Sequence, residues 1–150
     1  MTSTSRHFED YEIGEERTSF ARTITETDIV VHAGHSGDFY PTHMDAESMR
    51  DSAFGQRVAH GTMTFAIGIG LTAGDVNMLA FSYGYDRLRF PAPVFIGDTI
   101  HTRTRITAME PDPKRPKYGR VTEEVRVLNQ RGETVLACDH LYLVERREQA

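Results

Sequence analysis

Four of the seven histidines, His32, His35, His43 and His60, fall in one segment together with Asp38 and Asp45. The densest piece is Ser36-Gly37-Asp38-Phe39-Tyr40-Pro41-Thr42-His43. Pro41 interrupts regular helix and Gly37 permits a turn, so the five-residue step from Asp38 to His43 brings a carboxylate and an imidazole to one cavity. An imidazole is a base that works near neutral pH, and a carboxylate beside it can hold or pass a second proton, which is general acid–base chemistry. The same spacing fits a capped loop, with Asp38 satisfying backbone N–H groups and His43 capping the helix that follows. A second piece, Val58-Ala59-His60-Gly61-Thr62-Met63, precedes a long apolar run. Glycine at a helix start lets a ligand approach free N–H groups whose partial positive charge favours an oxygen becoming negative, an oxyanion hole. Glycine placed there for tight helix–sheet packing is equally compatible.

Other chemistries find less support. His35, Asp38, His43 and Asp45 have neither a helical His-x-x-x-His spacing nor a cysteine partner, so no metal is expected. No Gly-x-Ser-x-Gly elbow occurs, and Cys138 lies in a predicted strand as an inert thiol. Gly68 and Gly70 fall inside a predicted helix and read as close packing sites.

These residues need elements to hold them. Thr25 to Asp28 offers N-cap oxygens for a short helix through Ile29, Val30 and Val31, ending near Gly34; Asp45 starts another, Ala46 to Arg50, with Gly55 as its stop. Gly61 to Ala73 reads as one long helix that is apolar all round and therefore buried. The second half alternates in period two. Leu79, Phe81, Tyr83 and Tyr85 are odd-numbered, whereas Leu88 and Phe90 are even-numbered, which predicts a bulge near Asp86-Arg87. Further strands are predicted at Ile100 to Ala108, Val121 to Leu128 and Val135 to Val144, the last two joined as a hairpin through Asn129 to Gly132. An early strand runs from Thr18 to Ile24, and Glu110 to Gly119, with three prolines, is a loop. One apolar helix wrapped by a mainly antiparallel sheet is an α+β architecture. The last strand is apolar on both faces, Leu136, Tyr142 and Val144 against Val135, Ala137, Leu141 and Leu143. The second face needs cover, from a second copy of the chain or from the N-terminal strand and loops.

Composition bounds the function. The 150 residues, 39% hydrophobic and 26% charged, suit one domain over 1–150 with its core at about 8–144. A net charge of −5 gives no reason to expect nucleic acid, and a single cysteine excludes an internal disulfide framework and fits a reducing compartment. The polar start, Met1 to Asp10, is not a signal peptide, and glycines, threonines and Asp75 interrupt the apolar stretch at Val58 to Leu79, so no membrane span is expected. The expected setting is cytoplasmic.

The Asp/His loop, the Ala59-His60-Gly61 step and Arg89-Phe90-Pro91-Ala92-Pro93-Val94-Phe95-Ile96-Gly97-Asp98-Thr99 together resemble the MaoC-like, (R)-specific enoyl-CoA hydratase family of hotdog-fold proteins, over about Phe8 to Val144. The resemblance implies an α+β hotdog, a curved sheet wrapped around one long helix. It implies a hydro-lyase acting on a 2-enoyl-CoA or 3-hydroxyacyl-CoA thioester, with Asp38 and His43 as the catalytic pair. The Gly61 amide becomes the donor to the thioester carbonyl, with Tyr40 and His60 beside the substrate. No metal or cofactor is implied, since CoA arrives as part of the substrate; its phosphates would meet Arg87 and Arg89, which otherwise read as exposed strand arginines. A homodimer or dimer of dimers is expected. The family pattern has Asn where this chain has Tyr40 and a branched aliphatic where it has Thr42, which points to a short, branched or polar acyl group, such as a carboxylated one. A thioesterase on the same fold and a non-catalytic acyl-thioester-binding subunit are the alternatives; a degenerate subunit would be expected to have lost Asp38 or His43.

Overall fold

A computed structural model of the chain describes residues 2–147, so residues 1 and 148–150 of the expected 1–150 unit lie outside the described residues. After β1 (Thr2–Thr4) and a turn of 3-10 helix (Phe8–Asp10) come β2 (Glu16–Thr18), β3 (Arg22–Thr23), α1 (Glu26–Ser36), α2 (Pro41–Met44), α3 (Ala46–Arg50) and α4 (Gly61–Gly70). β4 (Asp75–Asn77), β5 (Ala80–Arg89), β6 (Thr99–Pro111), β7 (Tyr118–Leu128) and β8 (Thr134–Glu145) follow. The main sheet runs β2-β6-β7-β8-β5 with β3 also on β6, all antiparallel, while β1 pairs with β4 in parallel.

The expected order of helices and strands is present, with local differences that have physical causes. The early strand is two pieces, because the Ser19 hydroxyl accepts from the Thr102 amide and takes a ladder position for itself. Thr25 and Asp28 form a reciprocal capping box at the start of α1. The helix passes Gly34 and ends at Gly37, whose φ of 79° supplies the left-handed cap. Pro41, expected to break helix, instead opens α2 at its first position, where no intrahelical N–H is required. Asp45 caps α3 by accepting from the Glu47 and Ser48 amides, but α3 stops at Arg50, ahead of Gly55. α4 ends at Gly70 in tight turns rather than continuing to Ala73. The bulge appears where the period shifted: β5 slips against β8 between Asp86 and Arg89, with Arg87 at φ 54°.

The sheet's concave face holds two apolar clusters. Val125, Val127, Leu136 and Cys138 pack with Met63 and Ala59 under α4, and burial pushes the Cys138 thiol up to about 11. Register places Val121 opposite Tyr142 and Val125 opposite Cys138 on this same face, and a bulge at Leu128 brings Val135 into the α4 cluster as well. At the far end of this α4-bearing face Val121, Ile106, Tyr142 and Val144 are covered by Phe8 and Tyr11, which is not the second face for which cover was expected. The expectation of all-round burial for α4 is corrected: Thr62, Ala66 and Gly70, spaced by one turn, form a stripe open to solvent in the single chain. No helix among the described residues is long and apolar enough to cross a membrane.

Two glycines separate packing from helix propensity. A Cβ at Gly68 would lie 2.5 Å from Val127 Cγ2, whereas one at Gly34 would meet nothing within 4 Å. Gly→Ala inside a helix gains about 0.5–1 kcal/mol, and overpacking a tight core costs about 1–3 kcal/mol. Gly68→Ala is therefore expected to lower Tm by a few degrees and Gly34→Ala to raise it slightly, read by thermal denaturation of the two variants side by side.

Candidate functional site

The elements around α4 bring the Asp/His loop and the His60-Gly61 step together. Gly37 ends α1, Asp38 and Tyr40 cross over, and α2 carries His43. The Val58 amide donates to the Thr42 carbonyl at 3.0 Å and that of Ala59 to the Val94 carbonyl at 2.8 Å, which fastens the step before α4 to α2 and to the segment leading into β6. Asp38 Oδ2 lies 4.0 Å from His43 Nε2. The other ring nitrogen, Nδ1, donates to the Val58 carbonyl at 2.6 Å, which fixes the ring and leaves Nε2 as the acceptor that faces the carboxylate. Asp38 Oδ1 accepts weakly from the Tyr40 amide at 3.2 Å, so the loop-capping role and the pairing role coexist in one side chain. His43 is not a helix cap; Asp45 performs that function.

His60 is the support for this pair. It is 1% exposed, its ring stacks on His43 at 3.8 Å and 25°, and its Nε2 donates to the Asp38 carbonyl at 2.9 Å. With the proton on Nε2, Nδ1 keeps a bare lone pair, and it is buried with no hydrogen-bond partner. His32 tilts against His60 at 4.8 Å and bonds the Thr62 hydroxyl at 2.9 Å. Burial and the neighbouring imidazoles His60 and His35 push the His32 imidazole below its usual range. Asp38, His43 and His60 offer ligand atoms within 4.8 Å of one another. The His43 and His60 rings are nearly parallel, however, and in-plane lone pairs of parallel rings do not point at one ion together.

Gly61 opens α4 without a side-chain cap, and the first intrahelical bond runs from the Thr64 amide to the His60 carbonyl. The amides before it have no acceptor within the helix. A Cβ on Gly61 would press on the Phe90 ring at 3.0 Å. A cleft of about 410 Å³ lies here, lined by Phe54, Val58, Gly61, Thr64 and Phe90, mostly apolar.

Of the remaining sequence candidates, Tyr40 is at the rim, 67% exposed, with its backbone capping α2. Arg87 is spent on Asp139, Nε to Oδ2 at 2.6 Å. Asp139 is opposite Glu124, out of phase with Cys138 and therefore on the sheet face turned from α4, so Arg87 is not brought to the site. Arg89 is exposed and directly precedes Phe90, the residue that touches Gly61. Sequence reasoning missed Phe90 as a cleft wall and the ring stack of His60. The first is unsignalled, because the contact joins segments far apart in sequence; the second had a signal in a histidine placed directly before an uncapped glycine.

Comparison with known proteins agrees with this geometry. Residues 9–128 match the family model of the MaoC like domain. Protein MaoC of Klebsiella aerogenes is 41% identical over 100 residues, covering 65% of this chain but only 30% of that protein. An (R)-specific enoyl-CoA hydratase of Rhodospirillum rubrum is 32% identical over 72% of this chain and 74% of its own length. Among solved structures, a monoamine oxidase regulatory protein from Archaeoglobus fulgius superposes with a TM-score of 0.90 at 32% identity, covering 98% of each chain. A MaoC-like dehydratase from Rhodospirillum rubrum gives 0.84 at 32% identity, over 97% of this chain and 100% of that one. A Mycobacterium tuberculosis protein with a double hotdog fold, 18% identical, gives 0.82 over 97% of this chain and 46% of its own, which shows the fold. A chain with this sheet around this helix, matched along 9–128, belongs to the MaoC-like domain family of hotdog proteins.

Proposed function

We propose that the protein is a hydro-lyase that adds water to a 2-enoyl-CoA thioester or removes it from the 3-hydroxyacyl form. The observation that carries this reading is the carboxylate of Asp38 facing a His43 nitrogen at 4.0 Å while the other nitrogen is fixed by the Val58 carbonyl. The uncapped start of α4 stands next to this pair, since His60, which stacks on His43, directly precedes Gly61. Relatives named (R)-specific enoyl-CoA hydratase and 3-hydroxybutyryl-CoA dehydratase support the reaction class.

In the hydration direction the oxygen of water bonds to Cβ as one of its protons passes to His43 Nε2. The C=C electron pair moves to Cα, and negative charge develops on the thioester oxygen. The Gly61 N–H, at the positive end of α4, stabilises that oxygen more strongly than the starting carbonyl. The Asp38 carboxylate accepts a hydrogen bond from the same water, then takes the proton from the His43 imidazolium and delivers it to Cα, so both side chains end in their starting states. The chemistry of these residues calls on no metal or redox group, and CoA enters as the substrate's carrier. Arg89, exposed beside Phe90, is the proposed partner of its phosphates; Arg87 is engaged by Asp139. A second copy of the chain is the proposed cover for the free edge of β5, where Phe81 and Tyr83 stay about half exposed, as an apolar edge left bare would invite association.

Incubation with crotonyl-CoA tests the reaction. Loss of enone absorbance with the thioester intact is the expected result, and release of free thiol would make the protein a thioesterase instead. Asp38→Asn and His43→Ala are each expected to lower kcat by at least about 10², with KM moving less than about tenfold. The double variant should be far from additive, because the pair acts as a unit. A folded, nearly fully active Asp38→Asn would reduce Asp38 to a loop cap.

The oxyanion donor has its own test. Gly61→Ala and Gly61→Pro place the same extra Cβ against Phe90, but only proline removes the N–H, and proline is tolerated at a first helical position. The extended backbone of His60, φ −58° and ψ 134°, is also what a residue before proline adopts. Steady-state kinetics should show Gly61→Pro slower than Gly61→Ala by a further ~10²–10³ in kcat. Equal rates for the two would remove the amide from the mechanism.

A further inference from the structure

A second concentration of ionisable groups sits on the concave face, outside the acid–base site. Beyond the C-terminal end of α4, beside Thr72 and Ala73, a cavity of about 470 Å³ opens against β5, β7, β8 and the N-terminal segment. The ten residues of α4 set it about 15 Å from Gly61 along the helix. Its wall carries Glu123, 3% exposed and opposite His140 in register. Arg17 donates to Glu123 at 2.6 Å, and His140 Nδ1 lies 3.6 Å from the other carboxylate oxygen. Burial alone would raise the Glu123 carboxyl; the nearby His140 ring and the charge and hydrogen bond of Arg17 outweigh it and hold the group below the usual carboxylate range. The second acid of the cavity, Glu15, is gripped by both terminal nitrogens of Arg6 at 2.7 Å. Both carboxylates are therefore already satisfied from within the protein.

The groups left over are donors. Tyr142 is 6% exposed and lines the cavity, and its hydroxyl makes no hydrogen bond among the described residues. Burial and the nearby carboxylate of Glu123 raise that phenol, so it keeps its proton. Arg17 uses one terminal nitrogen on Glu123, and its other N–H groups make no hydrogen bond among the described residues. A cavity for plain hydrocarbon would gain nothing from a buried carboxylate held by arginine and histidine, since burying such charges is costly. Spare donors next to an internally neutralised acid are complementary to an incoming oxygen acceptor with negative charge.

We propose that this cavity binds a carboxylate through the Tyr142 hydroxyl and the remaining N–H groups of Arg17. The carboxylate is either the far end of a dicarboxylic acyl thioester or a free small acid; only the first source rests on the hydratase reading. Tyr142→Phe removes the donor while keeping the ring that packs with Val121 and Val144.

The test compares wild type and Tyr142→Phe on paired 2-enoyl-CoA esters ending in methyl or carboxylate, in lengths up to about twelve carbons, enough to cover about 15 Å. In parallel, thermal melts are recorded with and without glutarate. For the acyl source, wild type should favour the carboxylate-ended ester of at least one length by about tenfold or more in kcat/KM, and that ratio should collapse towards one in the variant. For the free-acid source, esters show no such preference, but glutarate raises Tm of wild type and not of the variant. Glutarate stabilisation lost in the variant, with no ester turned over, keeps the cavity assignment and removes the hydratase reading instead. A wild type indifferent to both carboxylates, or responses that persist in Tyr142→Phe, overturns the proposal.

Discussion

The arrangement around the Asp/His pair depends on one buried ring. His60 ends the segment that enters α4, so its backbone fixes where the first free amides of that helix point. Its side chain donates to the Asp38 carbonyl and stacks on His43. Asp38 and His43 belong to different local elements, a loop and a four-residue helix too short to be rigid alone. What gives them a common geometry is contact with the same imidazole, itself 1% exposed. A ring nitrogen of His60 left unpartnered in the interior costs free energy of about 1–3 kcal/mol, and the stack and the carbonyl bond offset part of that. Sites that must hold a proton-transfer pair tolerate such costs, because positioning of the pair governs the barrier.

The sheet explains how the site and the second cavity share one small chain. Paired positions across β7 and β8 put Val121, Glu123, Val125 and Val127 on a single face with Tyr142, His140, Cys138 and Leu136. Valines at either end feed two separate apolar clusters, one under α4 and one under the N-terminal segment. Glu123 and His140 occupy the gap between them. A charged residue in phase with valines is unfavourable unless it is paired, and Arg17 reaches it from β2, two strands away in the sheet order. The two halves of the concave face are thus divided by a polar seam.

Much of this was legible in the sequence, for identifiable reasons. Local chemistry specified the α1 capping box, the Asp45 cap, the three long strands and the β5 bulge, since each depends on residues a few positions apart. The Asp38 and His43 pairing was legible as a possibility, and only tertiary structure could bring the two to 4.0 Å, because the Val58 carbonyl that orients His43 is fifteen residues away. The apolar run of α4 was misleading about burial: apolarity fixes which residues prefer an interior, whereas Thr62, Ala66 and Gly70 remain exposed in the single chain even though His32 reaches the Thr62 hydroxyl. Arg87 was legible only as a basic residue near the bulge, and its positive φ and its capture by Asp139 follow from the bulge geometry itself. Glu123 was in principle readable, from a glutamate in phase with Val121, Val125 and Val127.

Gly61 shows why two readings of one residue need not compete. Packing favours a residue without Cβ, since that atom would lie 3.0 Å from the tip of the Phe90 ring. The proposed oxyanion donor would need an amide that no side chain covers, and the start of α4 has no side-chain cap. The same missing atom would meet both demands: it makes room for the aromatic wall of the cleft at a helix start that no side chain caps. An apolar wall next to that terminus also lowers the local dielectric, so an N–H dipole there acts on a developing charge more strongly than it would in water. The Gly61–Phe90 contact therefore bears on the electrostatics of the helix end, and under the proposed mechanism packing and oxyanion binding at this position become one constraint.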